Sequence, residues 1–121
     1  MDIERVMKLR EPVEFRDLIQ IVKAQSDKNV SYCIYAAFDD SADLTLHTMC
    51  YRDSYPEITG DDREIYPEFV VKHGLSLLFR EELVQDVIHN VLHQKPSATD
   101  QEILEAIIFY DTNDTFMDFN P

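Results

Sequence analysis

The stretch VSYCIYAAF, residues 30–38, decides how the rest of the chain is read. It is rich in β-branched and aromatic residues, too short for a good helix, and apolar at odd and even positions alike. A strand with that pattern is buried on both faces, so the sequence places it at the centre of a sheet. Asp39, Asp40 and Ser41 supply turn chemistry, and LTLHTMCY (44–51) alternates well enough to return as a hairpin partner. One face of that partner carries Leu44, Leu46, Thr48 and Cys50.

Helical spacing takes over on either side. In VEFRDLIQIVKAQ, residues Phe15, Leu18, Ile19 and Val22 fall at i, i+3, i+4 and i+7, which predicts an amphipathic helix over about residues 13–25. Beyond the hairpin, YPEITGDDREIYPEF (55–69) says Tyr-Pro-Glu twice and reads as an acidic, tyrosine-flanked loop. Pro67 can open a short helix, PEFVVKH, that Gly74 closes at the first position past its end. LSLLF then leads into REELVQDVIHNVLHQ, whose Leu83, Val84, Val87, Ile88, Val91 and Leu92 form one stripe, ended by Lys95 and Pro96. Thr99 and Glu102 match a capping box, opening a last helix with Ile103, Leu104, Ile107 and Ile108 inward. The expected fold is α+β: residues 1–121 as a single domain, a small antiparallel sheet with a hairpin packed against about three main helices.

Composition agrees with a packed chain. Of 121 residues, 45% are apolar, six tyrosines and seven phenylalanines are spread along the length, and glycine occurs twice. The formal charge is −13, from 24 acids against 11 Lys and Arg. It is polarised, because residues 1–38 balance, residues 39–68 and 81–121 each carry nine acids, and residues 69–80 carry Lys72 and Arg80 with no acid. A field of that sign argues against nucleic acid as a partner and favours rapid encounter with a basic one. No stretch approaches a membrane span and the first residues have no apolar core of a secretion signal, so a cytoplasmic protein is expected. Cys33 and Cys50 sit in apolar runs without CxxC spacing, as buried free thiols would.

Chemistry-bearing patterns are sparse. Two glycines cannot build a phosphate loop of the GxGxxG or GxxxxGK[ST] type, and no GxSxG elbow is present. Asp86, His89 and His93 share one helix face and could share a metal, but the Glu that activates water in HExxH is Asn90-Val91-Leu92 here, and the trio lies opposite the apolar stripe. No catalytic residue, resident metal or cofactor is therefore expected. Binding needs only a presented surface, and the acidic segments hold tyrosine and phenylalanine rather than serine and lysine. The candidate partner-binding residues are Tyr55, Glu57, Asp61, Asp62, Glu64 and Tyr66 in the doubled motif, with Asp111, Asp114 and Asp118 near the C-terminus.

Residues 64–119 also carry a recognisable pattern. It comprises Pro67-Glu68-Phe69, His73-Gly74-Leu75, VQDVIHNVLHQKP at 84–96, and Tyr110 followed by Asn113-Asp114-Thr115-Phe116. This resembles a family of small bacterial proteins of otherwise unassigned function, similar in type to the immunity proteins encoded beside contact-dependent growth-inhibition toxins. The resemblance implies a cytoplasmic inhibitor that covers a cognate toxin domain, often a nuclease, whose phosphate-binding surface is basic. Two readings from other classes stand beside it: an acidic nucleic-acid mimic that inhibits a DNA-binding protein, and a small metal-dependent enzyme using Asp86, His89 and His93.

Overall fold

Ile34 and Tyr35 turn to opposite faces of one strand and both are wholly buried, so the sheet has core on both sides. The computed structural model describes residues 10–24 and 32–119. Residues 30 and 31 of the anticipated strand and residue 25 of the first helix lie outside the described residues. Within them the fold is a single small α+β domain with a four-stranded antiparallel sheet and a separate two-stranded one.

The elements run β1 (Val13–Glu14), α1 (Phe15–Lys23), β2 (Cys33–Ala36), β3 (Met49–Asp53), β4 (Glu57–Ile58), β5 (Glu64–Ile65), α2 (Glu68–Lys72), β6 (Ser76–Arg80), α3 (Glu81–Gln94) and α4 (Asp100–Asn113). The main sheet has the order β1-β3-β2-β6, which puts β2 inside it as its two-sided apolar pattern requires. Helices α1, α3 and α4 cover one face. Phe15, Leu18, Ile19 and Val22 of α1 meet Val84, Val87, Ile88 and Val91 of α3, and Ile103, Leu104 and Ile107 of α4 close the cluster over Ile34, Cys50 and Phe79. Each such side chain contributes roughly 1.5–3 kcal/mol by leaving water. The other face holds a smaller cluster of Cys33, Tyr35 and Val70, edged by Tyr55, Tyr66, Leu75 and Leu77.

Three local expectations change. The hairpin partner of β2 is Met49–Asp53, paired with Tyr51 opposite Tyr35, rather than a strand beginning at Leu44. Residues 44–48 instead turn on Thr45 and Thr48, whose hydroxyls bond the main chain nitrogens of His47 and Thr45. Their carbonyls also serve α1: the Phe15 N–H donates to Thr48 O and the Arg16 N–H to Leu46 O, satisfying donors a helix start leaves open. Inward alternation survives without the ladder, with Leu44 and Cys50 buried and Leu46 and Thr48 half-buried.

At the front, Val13–Glu14 pairs with β3 before α1 begins at Phe15. LSLLF leads directly into α3, and it does so as a strand, β6, which lies beside β2. Ile34 faces Phe79 and Tyr35 faces Leu77, so Leu78 is an extra residue, a bulge that lets Leu78 and Phe79 both reach the helix-side core. Third, the 55–69 segment is not an open loop but contains the β4–β5 hairpin, and Pro67 is the residue just before α2, φ −54° and ψ 145°, rather than its first turn.

Caps follow the sequence. Gly74 takes φ +63°, its N–H donates to Val71 O and the Leu75 N–H to Val70 O, the two bonds that close a helix with a left-handed residue. Thr99 and Glu102 exchange both capping-box bonds, at 3.1 and 2.9 Å.

Candidate functional site

The doubled Tyr-Pro-Glu motif folds as a hairpin because its two arms repeat a second dipeptide, Glu-Ile. Glu57 pairs with Ile65 and Ile58 with Glu64, so each hairpin face receives one carboxylate and one isoleucine. The turn is closed by the Thr59 N–H to Arg63 O at 2.9 Å and the Asp62 N–H to Thr59 O at 3.0 Å. Its left-handed position falls on Asp62, φ +64°, a residue type that tolerates it, and not on Gly60.

Two-stranded hairpins are marginal alone, and this one is anchored by its tyrosines. The Tyr66 ring stands edge-on to Tyr35 with centroids 6.4 Å apart, and its hydroxyl donates to Glu64 Oε1 at 3.1 Å. Burial first, and then the Glu64 carboxylate, raise its phenol. Tyr55 lies under the Arg80 guanidinium, 5.6 Å from its centroid, and donates to Glu82 Oε1 at 3.0 Å. Its phenol is also pushed up, by burial and then by Glu82. Both tyrosines are therefore half-buried supports, with their rings turned to the sheet.

What the hairpin offers outward is different. Glu57, Asp61, Asp62 and Glu64 are exposed, and between them Ile58 and Ile65 remain 61% and 52% exposed. Asp61 is held by the Thr59 hydroxyl and by Arg63 Nε at 3.0 Å; the hydroxyl is the main reason its carboxyl sits below the usual range. Beside the hairpin, Val71 is exposed at the lip of a groove of about 380 Å³ lined also by Asp39, Tyr66, Val70, Leu75 and Leu77. The isoleucines were absent from the sequence-level candidates; the repeated Glu-Ile was the signal that could have found them.

Asp111, Asp114 and Asp118 are exposed as well, but they belong to the other side of the sheet. Asp114 ends α4 in the left-handed region, and the tail beyond it is tied to α3, where Gln94 donates to Met117 O and accepts from the Phe119 N–H, both at 2.9 Å. Met117, Phe119 and Tyr110 pack on the helix-side core, whereas Tyr55 and Tyr66 pack on the opposite one. The nine candidates are thus two surfaces, not one.

Asp86, His89 and His93 lie exposed on α3, and among the described residues no three His, Cys, Asp or Glu side chains gather as a metal site. Cys33 and Cys50 are buried free thiols, pushed by burial up to about 11 and about 12. No helix among the described residues is long and apolar enough to cross a membrane. A family model described as a domain of unknown function, DUF7716, matches residues 15–119, and the chain belongs to that family. No curated protein and no solved structure matches it.

Proposed function

We propose that this DUF7716 member is an immunity-type inhibitor that grips a basic antibacterial toxin domain, a nuclease foremost, with its β4–β5 hairpin, both faces of which carry one isoleucine and one glutamate. The observation that carries the reading is the pair of exposed isoleucines set among four exposed carboxylates. Protein interfaces concentrate their affinity in apolar anchors at the centre and use surrounding charge for encounter rate and partner choice. Ile58 and Ile65 supply one such anchor on each face of the hairpin, and Glu57, Asp61, Asp62 and Glu64 supply the charge. A nuclease surface built to hold phosphates presents the complementary sign.

The hairpin is suited to this because Tyr55 and Tyr66 anchor it to a folded face, so little order remains to be imposed on binding. Asp111, Asp114 and Asp118, on the far side of the sheet, extend the negative field without sharing that contact. A reducing cytoplasm is the compartment in which the two buried thiols and the inhibitor's task coincide.

Co-expression with the toxin domain encoded immediately upstream tests the proposal. The pair is expected to co-purify and cell growth to be restored, while Ile58→Lys with Ile65→Lys abolishes both and leaves the fold intact. Absence of a complex and of growth rescue by the unaltered protein removes the reading.

A further inference from the structure

Arg10 and one side of α2 enclose a second groove of about 380 Å³, lined by Arg10, Pro67, Glu68, Phe69, Lys72 and His73. We propose that this groove is an oxyanion site that takes the phosphate group of a small ligand. The inference is independent of the hairpin's role.

Its central element is a positioned arginine. Arg10 takes a left-handed backbone, φ +69°, with its N–H donating to Arg52 O at 2.8 Å. Its side-chain Nε donates to both oxygens of Asp53 at 3.3 Å, and Asp53 is wholly buried and fixed in turn by the Ser54 N–H at 2.7 Å. A carboxylate that cannot swing away thus holds the guanidinium by its inner nitrogen. The two terminal nitrogens bond no other described residue and the side chain is 56% exposed. Two parallel donors in a planar fork match two oxygens of a phosphate.

The other groups converge on the same space. Lys72 is exposed and has no ion pair among the described residues. The His73 Nδ1–H donates to Phe69 O at 2.9 Å, which fixes the ring's orientation. Its ring lies on Phe69 with centroids 4.2 Å apart, and Phe69 rests on Tyr51 at 5.7 Å. Glu68 is the one acid on the lining. In a chain of net charge −13 the groove is locally balanced, Arg10 against Asp53 and Lys72 against Glu68, over an aromatic floor, and its volume lies in the range of small-ligand sites.

Titration of the full chain with inorganic phosphate, followed by NMR at the Arg10 Nε–H and the Lys72 and His73 amides, tests this, with chloride at matched ionic strength and acetate as controls. Saturable shifts at these three positions with phosphate are expected, stronger with phenyl phosphate, which adds a ring for the aromatic floor. Lys72→Ala should weaken phosphate by about five-fold, the scale of one charge-assisted contact, without lowering the melting temperature. Removal of Arg10 would strand buried Asp53 and can unfold the protein, so Lys72→Ala is the deciding variant, and Asp53→Asn, which releases the guanidinium, should weaken phosphate while shifting the Arg10 Nε signal. Linear shifts equal to those with chloride, equal saturation by acetate, or an unchanged phosphate affinity in Lys72→Ala would overturn the assignment.

Discussion

Replacing Tyr35 tests whether the second face of the sheet is structural core or a thin cover. The side chain is wholly buried against Cys33, Val70 and Tyr66, and its hydroxyl donates to Ser54 O at 2.8 Å. Tyr35→Phe removes that bond alone. Ser54 is exposed, so its carbonyl can recover a water, and the loss falls near 1 kcal/mol rather than at the cost of a stranded acceptor. Tyr35→Ala also empties the ring's volume and releases the support of the hairpin, about 3–5 kcal/mol by the range for buried aromatics. With an unfolding entropy of about 2.1 cal/mol/K per residue, a chain of 121 residues loses about 4 °C of melting temperature per kcal/mol. Tyr35→Phe should therefore melt about 4 °C lower and Tyr35→Ala about 12–20 °C lower, read by circular dichroism and checked by urea titration. Burial raises the Tyr35 phenol, so the folded state keeps a proton that the unfolded state releases above pH about 10. Its contribution is complete below that pH and is lost as pH rises, and Tyr35→Phe should show a shallower alkaline decline. A Tyr35→Ala protein that melts with Tyr35→Phe would refute the two-sided core.

Cys33 and Cys50 should resist a thiol reagent at pH 8 and react at once in denaturant, because burial holds both thiols neutral; one thiol reacting at the unfolded rate in the native protein would place it at the surface. Thr99→Ala should cost about 1 kcal/mol in urea titrations by opening the capping box of α4. Lys95, 2.6 Å away, and then the Thr99 N–H hold the Glu102 carboxyl below the usual range, so its contribution is present at neutral pH and lost as pH falls through that lowered value; Glu102→Gln should flatten the acid limb of the stability profile. Asp61→Asn, Asp62→Asn and Glu64→Gln together take the hairpin from three net negative charges to none. Association with a basic toxin should slow by about ten-fold at low salt and lose its salt dependence, as stopped-flow would show, and unchanged rates would move the contact to Asp111, Asp114 and Asp118.

Periodicity made the helices legible: the stripes of α1, α3 and α4 are local, and each was matched by burial because 3.6-residue spacing needs no knowledge of the partner. The same holds for β2, whose two-sided apolar pattern admits only an interior place, and for the caps at Gly74 and Thr99, where one residue's chemistry suffices. The strand from Leu44 failed because alternation reports which side chains turn inward and not whether the main chain bonds to a neighbour; here Leu46 and Thr48 give their carbonyls to α1. β6 was hidden because a bulge breaks its period, and the β4–β5 hairpin because its strands are two residues long. By itself the sequence determined the helices, the central strand and the abundance of exposed acid. Tertiary structure alone decided that the acids form two surfaces, since only strand order says which face of the sheet each segment covers. It alone also brought Asp53 to Arg10 across 43 residues of chain, because that contact depends on β1 lying beside β3 and on no pattern within either segment.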